Sequence, residues 1–90
     1  MGLKTKNIIR ESLETKIYPN PTHDQFNIEI ESDIDEPVYI SVFDMNGSVV
    51  FKNEYIPQVN IQFGAGFPAG MYLMQVMQDG VSRTYKLVKQ

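Results

Sequence analysis

The chain has 90 residues and no cysteine, so it supports a single domain and excludes disulfides and thiolate sites. Hydrophobic residues make up 42% of it, which predicts a globular fold rather than a disordered segment. The formal net charge is −3 with no basic patch, and no run reaches the roughly 18 apolar residues of a membrane span, so we expect neither nucleic-acid binding nor a transmembrane helix.

The first residues are polar apart from Ile8, Ile9 and Leu13, and they lack the apolar segment of a signal peptide. We interpret residues 1–13 as a linker or a remnant of cloning that lies outside the core. Residues 14–90 form the predicted domain, because the apolar residues alternate with a period of two from Glu14 onward.

This alternation predicts seven short strands and no helix. The predicted strands cover residues 15–18, 25–31, 38–44, 48–55, 59–63, 71–78 and 81–89. A spacing of about ten residues is typical of an antiparallel β-sandwich. The pairs Asn46-Gly47 and Asp79-Gly80 predict two hairpin turns, since these residues accept positive φ. We expect a core that includes Phe26, Ile28, Ile40, Val42, Ile61, Tyr72 and Val76.

Two prolines in the segment "YPNP" end the first strand. Pro19 and Pro21 have no N–H to donate to a strand ladder, and each favours extended geometry in the residue before it. We therefore expect this turn to stop the pairing and to carry the chain from one sheet to the other. Because cis bonds before proline are uncommon, we do not predict a cis bond between Tyr18 and Pro19.

No set of residues predicts catalysis or a bound ion. His23 is the only histidine, and none of the serines stands in a recognisable nucleophile motif, so we interpret His23 as a solvated turn residue. The acidic run over residues 31–36 lacks the spacing and the turn glycine of a calcium loop. We assign no catalytic, metal-binding or cofactor-binding residue and predict that the domain is not an enzyme.

The methionine-rich strand over residues 71–78 has two faces. Tyr72, Met74 and Val76 share the face that we expect to fill the core. The other face presents Met71, Leu73 and Met77. Those three side chains are either covered or form an exposed apolar patch of the kind that marks a partner site.

Four stretches occur in order: "IYPNPTHDQFNIEI", "VYISVFDMNGSVV", "FPAGMYLMQV" and "YKLVKQ". Together they resemble the C-terminal sorting domain of the type IX (Por) secretion system of Bacteroidetes, over residues 15–90. The residues that carry the structural motifs are Tyr18, Pro19, Asn20, Pro21, Asp44, Gly47, Gly70 and Tyr72. The sequence departs from the family pattern at Phe67, where leucine is usual, and in the extra glycines ahead of it.

The resemblance implies a seven-stranded Ig-like β-sandwich that serves as an address label and needs no cofactor. In the family, the label directs an N-terminal cargo from the periplasm through the outer-membrane translocon, to the surface or exterior of a Gram-negative bacterium. A sortase-like peptidase typically removes the label, and cargo is in some cases joined to an anionic lipopolysaccharide.

The resemblance also implies that the last strand is read by the translocon or the sortase through its free end. The predicted recognition residues are Tyr85, Lys86, Leu87, Val88, Lys89 and Gln90. The alternative is an ordinary edge strand whose lysines face water and so prevent aggregation. An exposed edge would also allow a homodimer to form.

A different class of function is an Ig-like binding or adhesion module, for example a carbohydrate-binding appendage of a secreted enzyme. Such a module needs a row of exposed aromatic side chains on one sheet. The candidates for this row are Tyr39, Phe43 and Tyr55.

Overall fold

A computed structural model describes residues 13–90 of the chain. Every regular element in that range is a β-strand, as the period-two alternation predicts. The seven strands are β1 (Glu14–Tyr18), β2 (Phe26–Glu31), β3 (Val38–Phe43), β4 (Val49–Tyr55), β5 (Val59–Phe63), β6 (Gly70–Gln78) and β7 (Val81–Lys89). Within the described range no helix is long and apolar enough to cross a membrane.

The strands form two antiparallel sheets. The first has the order β1-β2-β5 and the second has the order β4-β3-β6-β7. β1 therefore pairs with β2 in the same sheet, with Ile17 opposite Ile28. The expectation that the "YPNP" turn carries the chain between sheets is wrong, because β1 and β2 are neighbours.

Both sheets contribute to one apolar core. Alternate residues of β2 and of β3 are completely buried, because both strands have a neighbour on each side. The predicted core residues are buried with the exception of Ile61, which is half-buried although Val59 and Phe63 on the same face of β5 are buried. Leu13, which the sequence analysis places in the linker, is also buried in this core. The rest of that predicted linker lies outside the described residues.

A line of aromatic rings connects the two sheets. Phe51 of β4 stacks on Phe63 of β5 with their centroids 4.5 Å apart. Phe63 also contacts Phe67 at 6.0 Å, and Phe67 contacts Tyr72 of β6 at 4.8 Å. These stacked and tilted contacts add to the burial of the rings themselves. Phe67 thus has a packing role at the position where it departs from the family pattern.

The two hairpins form where the turn residues predict them, but with different geometry. Asp79 and Gly80 have φ values of 47° and 83°, the positive pair of a two-residue type I′ turn. In the other hairpin Gly47 has a positive φ of 84°, whereas Asn46 does not have a positive φ. Its loop holds three residues between Asp44 and Ser48, whose backbones are joined by a 2.9 Å hydrogen bond.

Candidate recognition surface

The segment of residues 18–22, "YPNPT", lies against the outer edge of β7. The side chain of Asn20 makes two contacts there: Nδ2 donates to the carbonyl of Lys86 at 2.9 Å, and Oδ1 accepts the N–H of Val88 at 2.9 Å. The amide side chain therefore takes the place of a backbone peptide group along the edge of the strand. It does so between two prolines, which cannot donate themselves.

Thr22 continues this pairing with its own backbone. Its N–H donates to the carbonyl of Val88 at 3.0 Å, and its carbonyl accepts the N–H of Gln90 at 2.8 Å. The result is an isolated parallel bridge between Thr22 and Lys89. The Thr22 hydroxyl donates to the carbonyl of Gln25 and accepts the N–H of Asp24, so the side chain is satisfied although it is buried.

The peptide bonds before Pro19 and Pro21 are both cis, which the sequence analysis does not predict. Tyr18 is exposed, and its hydroxyl donates to a carboxylate oxygen of Glu29. This hydrogen bond, with burial and the negative charge of Glu29 adding to it, raises the pKa of Tyr18 above its ordinary value. The asparagine of the motif therefore contacts β7, whereas the tyrosine contacts β2.

The predicted recognition residues do not all face the same way. Leu87 is completely buried in the core, and Tyr85 is half-buried against it. Lys86 and Gln90 are exposed and Val88 is partly so. The assumption that the end of β7 offers an uncovered edge is wrong, because Asn20 and Thr22 occupy the backbone groups of residues 86–90 that point outward.

Lys89 is a buried lysine, with 6% of its surface exposed. Its Nζ donates to the carbonyl of Gly64 at 2.5 Å and to that of Ala65 at 3.1 Å. The interpretation that both lysines of the strand face water is therefore wrong for Lys89. Because strand side chains alternate, Lys89 shares the inward face with Leu87 while Lys86 points outward. The two hydrogen bonds of Lys89 connect the loop between β5 and β6 to the end of β7.

The remaining motif residues build turns. Oδ1 of Asp44 accepts the N–H groups of Asn46 and Ser48, and the Asp44 carbonyl accepts the N–H of Gly47 at 3.0 Å. These bonds explain the spacing of the aspartate and the glycine. Gly70, with φ 152°, begins β6, and two residues later the Tyr72 hydroxyl donates to the Pro68 carbonyl at 2.5 Å.

The acidic connection between β2 and β3 is held by a buried glutamine. Gln78 is 1% exposed, and its Nε2 donates to the carbonyls of Ile34 and Glu36 at 3.0 and 2.9 Å. Its Oε1 accepts the Ser32 hydroxyl at 2.6 Å. Over residues 13–90 no group of three histidine, cysteine or carboxylate side chains is placed to hold a metal ion. His23 is an exposed residue in the turn before β2.

The three aromatic candidates for a sugar-binding row do not share a face. Tyr39 is exposed on the outer face of the second sheet. Tyr55 lies opposite the buried Val38 and packs against the core. Phe43 is half-buried, on the same face as Tyr39 but four residues away. The structure does not bring these rings together into a platform.

The outer face of β6 is apolar and exposed. Met71, Leu73 and Met77 are 42%, 41% and 44% exposed, and Tyr39 lies opposite Met77 on the neighbouring strand. The question left open by the sequence is therefore answered: these side chains are uncovered in the described part of the chain. The inner residues Tyr72, Met74 and Val76 fill the core as predicted.

Comparison with known proteins shows which family the chain belongs to. The family model described as "Secretion system C-terminal sorting domain" matches residues 16–90. The chain belongs to this family. Its members are sorting signals of the type IX (Por) secretion system, so the domain is a non-catalytic label that directs a cargo protein to the cell surface or exterior.

A relative is the endo-acting ulvan lyase of Formosa agariphila. It is 27% identical to the chain over 74 residues, which is 81% of this chain and 14% of the lyase. The chain thus spans only a small part of the length of this relative.

Sequence reasoning missed Asn20 and Thr22 as the residues that join the motif to the last strand. It also missed Lys89 as the residue that joins the last strand to the loop between β5 and β6. One signal was available. An asparagine between two prolines is the only side chain there that can supply both a donor and an acceptor where the flanking residues lack an N–H. No comparable pattern marks Lys89, whose partners are backbone carbonyls of a distant loop.

Proposed function

We propose that the sorting domain is read by the type IX translocon as a folded surface formed by the YPNPT segment and β7 together. The supporting observation is the set of hydrogen bonds that Asn20 and Thr22 make with the end of β7. These contacts make the family's first motif and its terminal strand one continuous surface, with Lys86 and Gln90 exposed beside it. Tyr85, Leu87 and Lys89 support this surface from the inside.

The partners in this proposal are the translocon, a sortase-like peptidase and an N-terminal cargo. The peptidase removes the domain and the cargo is then attached at the surface. Residues 14–90 together with Leu13 form the folded label, since Leu13 packs in the core, and the preceding residues connect it to the cargo. The endo-acting ulvan lyase among the relatives suggests an enzyme acting on a polysaccharide as one kind of cargo.

We also propose that the two sheets form an Ig-like sandwich. If β1 to β7 are matched to strands A, B, C, C′, E, F and G, the observed orders become A-B-E and C′-C-F-G, which is an Ig arrangement. A tyrosine near the start of strand F that bonds back to upstream backbone is a further Ig feature. Tyr72 and the Pro68 carbonyl provide this contact. NMR contacts that pair β5 with β2 and β6 with β3 check the order, and a ladder between β4 and β5 would contradict it.

The export function is tested with a secreted fluorescent protein fused ahead of residues 1–90. In a type IX-competent host we expect the fusion to reach the cell surface or the medium. In the same host without a working type IX translocon, we expect it to stay in the periplasm. Retention of the fusion in the competent host would overturn the proposal.

A further inference from the structure

Among residues 13–90, the outer edge of β7 is covered at one end and open at the other. Residues 86, 88 and 90 direct their backbone groups outward, because these groups bond Asn20 and Thr22. Strand alternation then directs the backbone groups of Ser82 and Thr84 outward as well, since β6 and β7 pair in continuous register from Gln78–Val81 to Gly70–Lys89. Within residues 13–90 no backbone hydrogen bond beyond the strand ladders reaches Ser82 or Thr84.

The other sheet edges carry features that discourage strand addition. β1 and β5 are five residues long, and short edges offer few backbone groups. β4 is irregular, with a register shift against β3 between Val42 and Phe43. β7 is nine residues long and regular, so its open half is the edge best suited to accept another strand.

The side chains at the open half predict what kind of strand fits. Val81, Arg83 and Tyr85 alternate on the inward face of β7; all three are half-buried, and Val81 and Tyr85 pack against the core. An added strand would place alternate side chains beside this face, and apolar ones next to Val81 and Tyr85 would extend the core. Its other side chains would lie beside Ser82, Thr84 and Lys86, which are exposed, so polar or acidic ones fit there.

We propose that the type IX machinery binds this domain by strand addition at Val81–Lys86. The added strand is an extended segment of a machinery protein that alternates apolar with polar or acidic side chains. The edge already pairs with backbone from Thr22 at its other end, so the new strand continues an existing line of pairing. This inference rests on the proposed function and names the binding mode of the same surface.

Thr84→Pro tests the inference in the fluorescent fusion. Proline at 84 removes an outward N–H while the bonds from β7 to β6 remain, and edge strands tolerate such a proline. We expect surface export to fall by at least about tenfold, since a backbone bond is lost and the ring obstructs the incoming strand. Thr84→Ala keeps the N–H and should therefore lose much less export than Thr84→Pro. Lys52→Pro places the same residue on the irregular β4 edge, outside this surface, and should stay within about twofold of the unchanged fusion.

Two further measurements separate the explanations. In the unmodified domain the amide protons of Ser82 and Thr84 should exchange with water much faster than those of Arg83 and Tyr85. Slow exchange at all four positions would show that this edge is not open.

Ser82→Pro replaces Thr84→Pro if that variant has a lowered melting temperature. If a folded proline variant is exported as well as the unmodified fusion, the inference is overturned and the proposed function is not. Retention of the unmodified fusion overturns the proposed function and this inference together. Sedimentation shows whether the unmodified domain forms a dimer. A dimer that the Thr84→Pro substitution dissociates would show that a second copy of the domain occupies this edge, and would overturn the proposal that a segment of the machinery does.

Discussion

Lys86 and Lys89 show how much a residue's role depends on its strand position. Both are lysines near the end of β7, yet Lys86 is exposed and Lys89 is buried. Three residues apart on a strand means opposite faces, so one ammonium meets water and the other meets the Gly64 and Ala65 carbonyls. A buried lysine of this kind holds two pieces of backbone together, and its charge is not available to a partner.

Replacement of Lys89 by methionine should destabilise the domain. Methionine keeps much of the side-chain volume but removes the charged donor of the Ala65 carbonyl and one of the two donors of the Gly64 carbonyl, which also accepts the N–H of Phe67. The loss of these charge-assisted hydrogen bonds costs about 1–3 kcal/mol. Lys86→Met is the matched control, because exposed substitutions usually stay within about 0.5 kcal/mol. Urea unfolding of both variants measures the difference. Equal midpoints would show that the Lys89 contacts contribute nothing to stability.

Asn20 should matter through its two hydrogen bonds and not through its size. Asn20→Ala removes both bonds to β7, and we expect a loss of about 0.5–1.5 kcal/mol, since water can reach this exposed site. Asn20→Asp keeps the acceptor for Val88 but places a second carboxylate oxygen against the Lys86 carbonyl, so it should be clearly less stable than the native domain. Chemical unfolding gives the order, and faster amide exchange at Val88 in the alanine variant locates the effect. An aspartate variant as stable as the native domain would contradict the assigned geometry.

At the scale of elements, the two hairpins differ because their turn residues differ. Asp79 and Gly80 fit a two-residue loop in which both residues have positive φ. In the other hairpin Asp44 has a side chain that bonds two N–H groups of the loop, which favours three residues with Gly47 last. The dipeptides Asn46-Gly47 and Asp79-Gly80 predict that both hairpins form. The length of the first loop, however, depends on the hydrogen bonds of the Asp44 side chain.

Substitution of Gly80 by valine should weaken the β6–β7 hairpin. The φ of 83° disfavours a β-branched residue, and we expect a loss of about 1 kcal/mol or more even though the site has open space around it. Gly66→Val is the control, since Gly66 has equally open surroundings without the positive φ. Thermal unfolding of the two variants should show a lower midpoint for Gly80→Val. Equal midpoints would contradict the turn type.

The strands were predictable because local alternation of apolar residues determines them. The recognition surface was not predictable, since it depends on contacts between residues that are far apart in the sequence. Alternation fixes which residues of β2 and β3 face the core, and the structure agrees. Ile61 is half-buried between Val59 and Phe63, which are buried on the same face of β5, and alternation alone does not predict this difference. The Asn20 contact with Lys86 joins residues 66 apart, and such pairing depends on the whole topology.

At the scale of the whole molecule, the beginning and the end of the folded domain are joined. β1 leads into the YPNPT segment, and that segment pairs with the end of β7, which lies in the other sheet. The surface that we propose for recognition therefore exists only when both sheets and the last strand are in place. Recognition and folding depend on overlapping residues, and an experiment on export must separate the two.

Removal of residues 87–90 should unfold the domain, and not only prevent a receptor from binding it. The deletion takes away the fully buried Leu87, the loop contacts of Lys89 and the partners of Thr22. Loss of one buried leucine alone costs about 2–5 kcal/mol, a large share of the stability of a small domain. We expect a loss of the cooperative melting transition in circular dichroism. A truncated domain that melts cooperatively at the native temperature would contradict this expectation.

Lys86 permits the cleaner test, because it is exposed beside the YPNPT segment and lies on the opposite face of β7 from the buried Leu87. If the machinery reads positive charge at this place, Lys86→Glu should lower export of the fluorescent fusion while the melting temperature stays unchanged. Interfacial charge of this kind acts mainly on the rate of association, so added salt should reduce the difference in any binding assay. Lys86→Arg keeps the charge and should export like the unchanged domain. A stable Lys86→Glu variant exported at the full rate would remove Lys86 from the recognition surface and leave backbone pairing along β7 as the mode of binding.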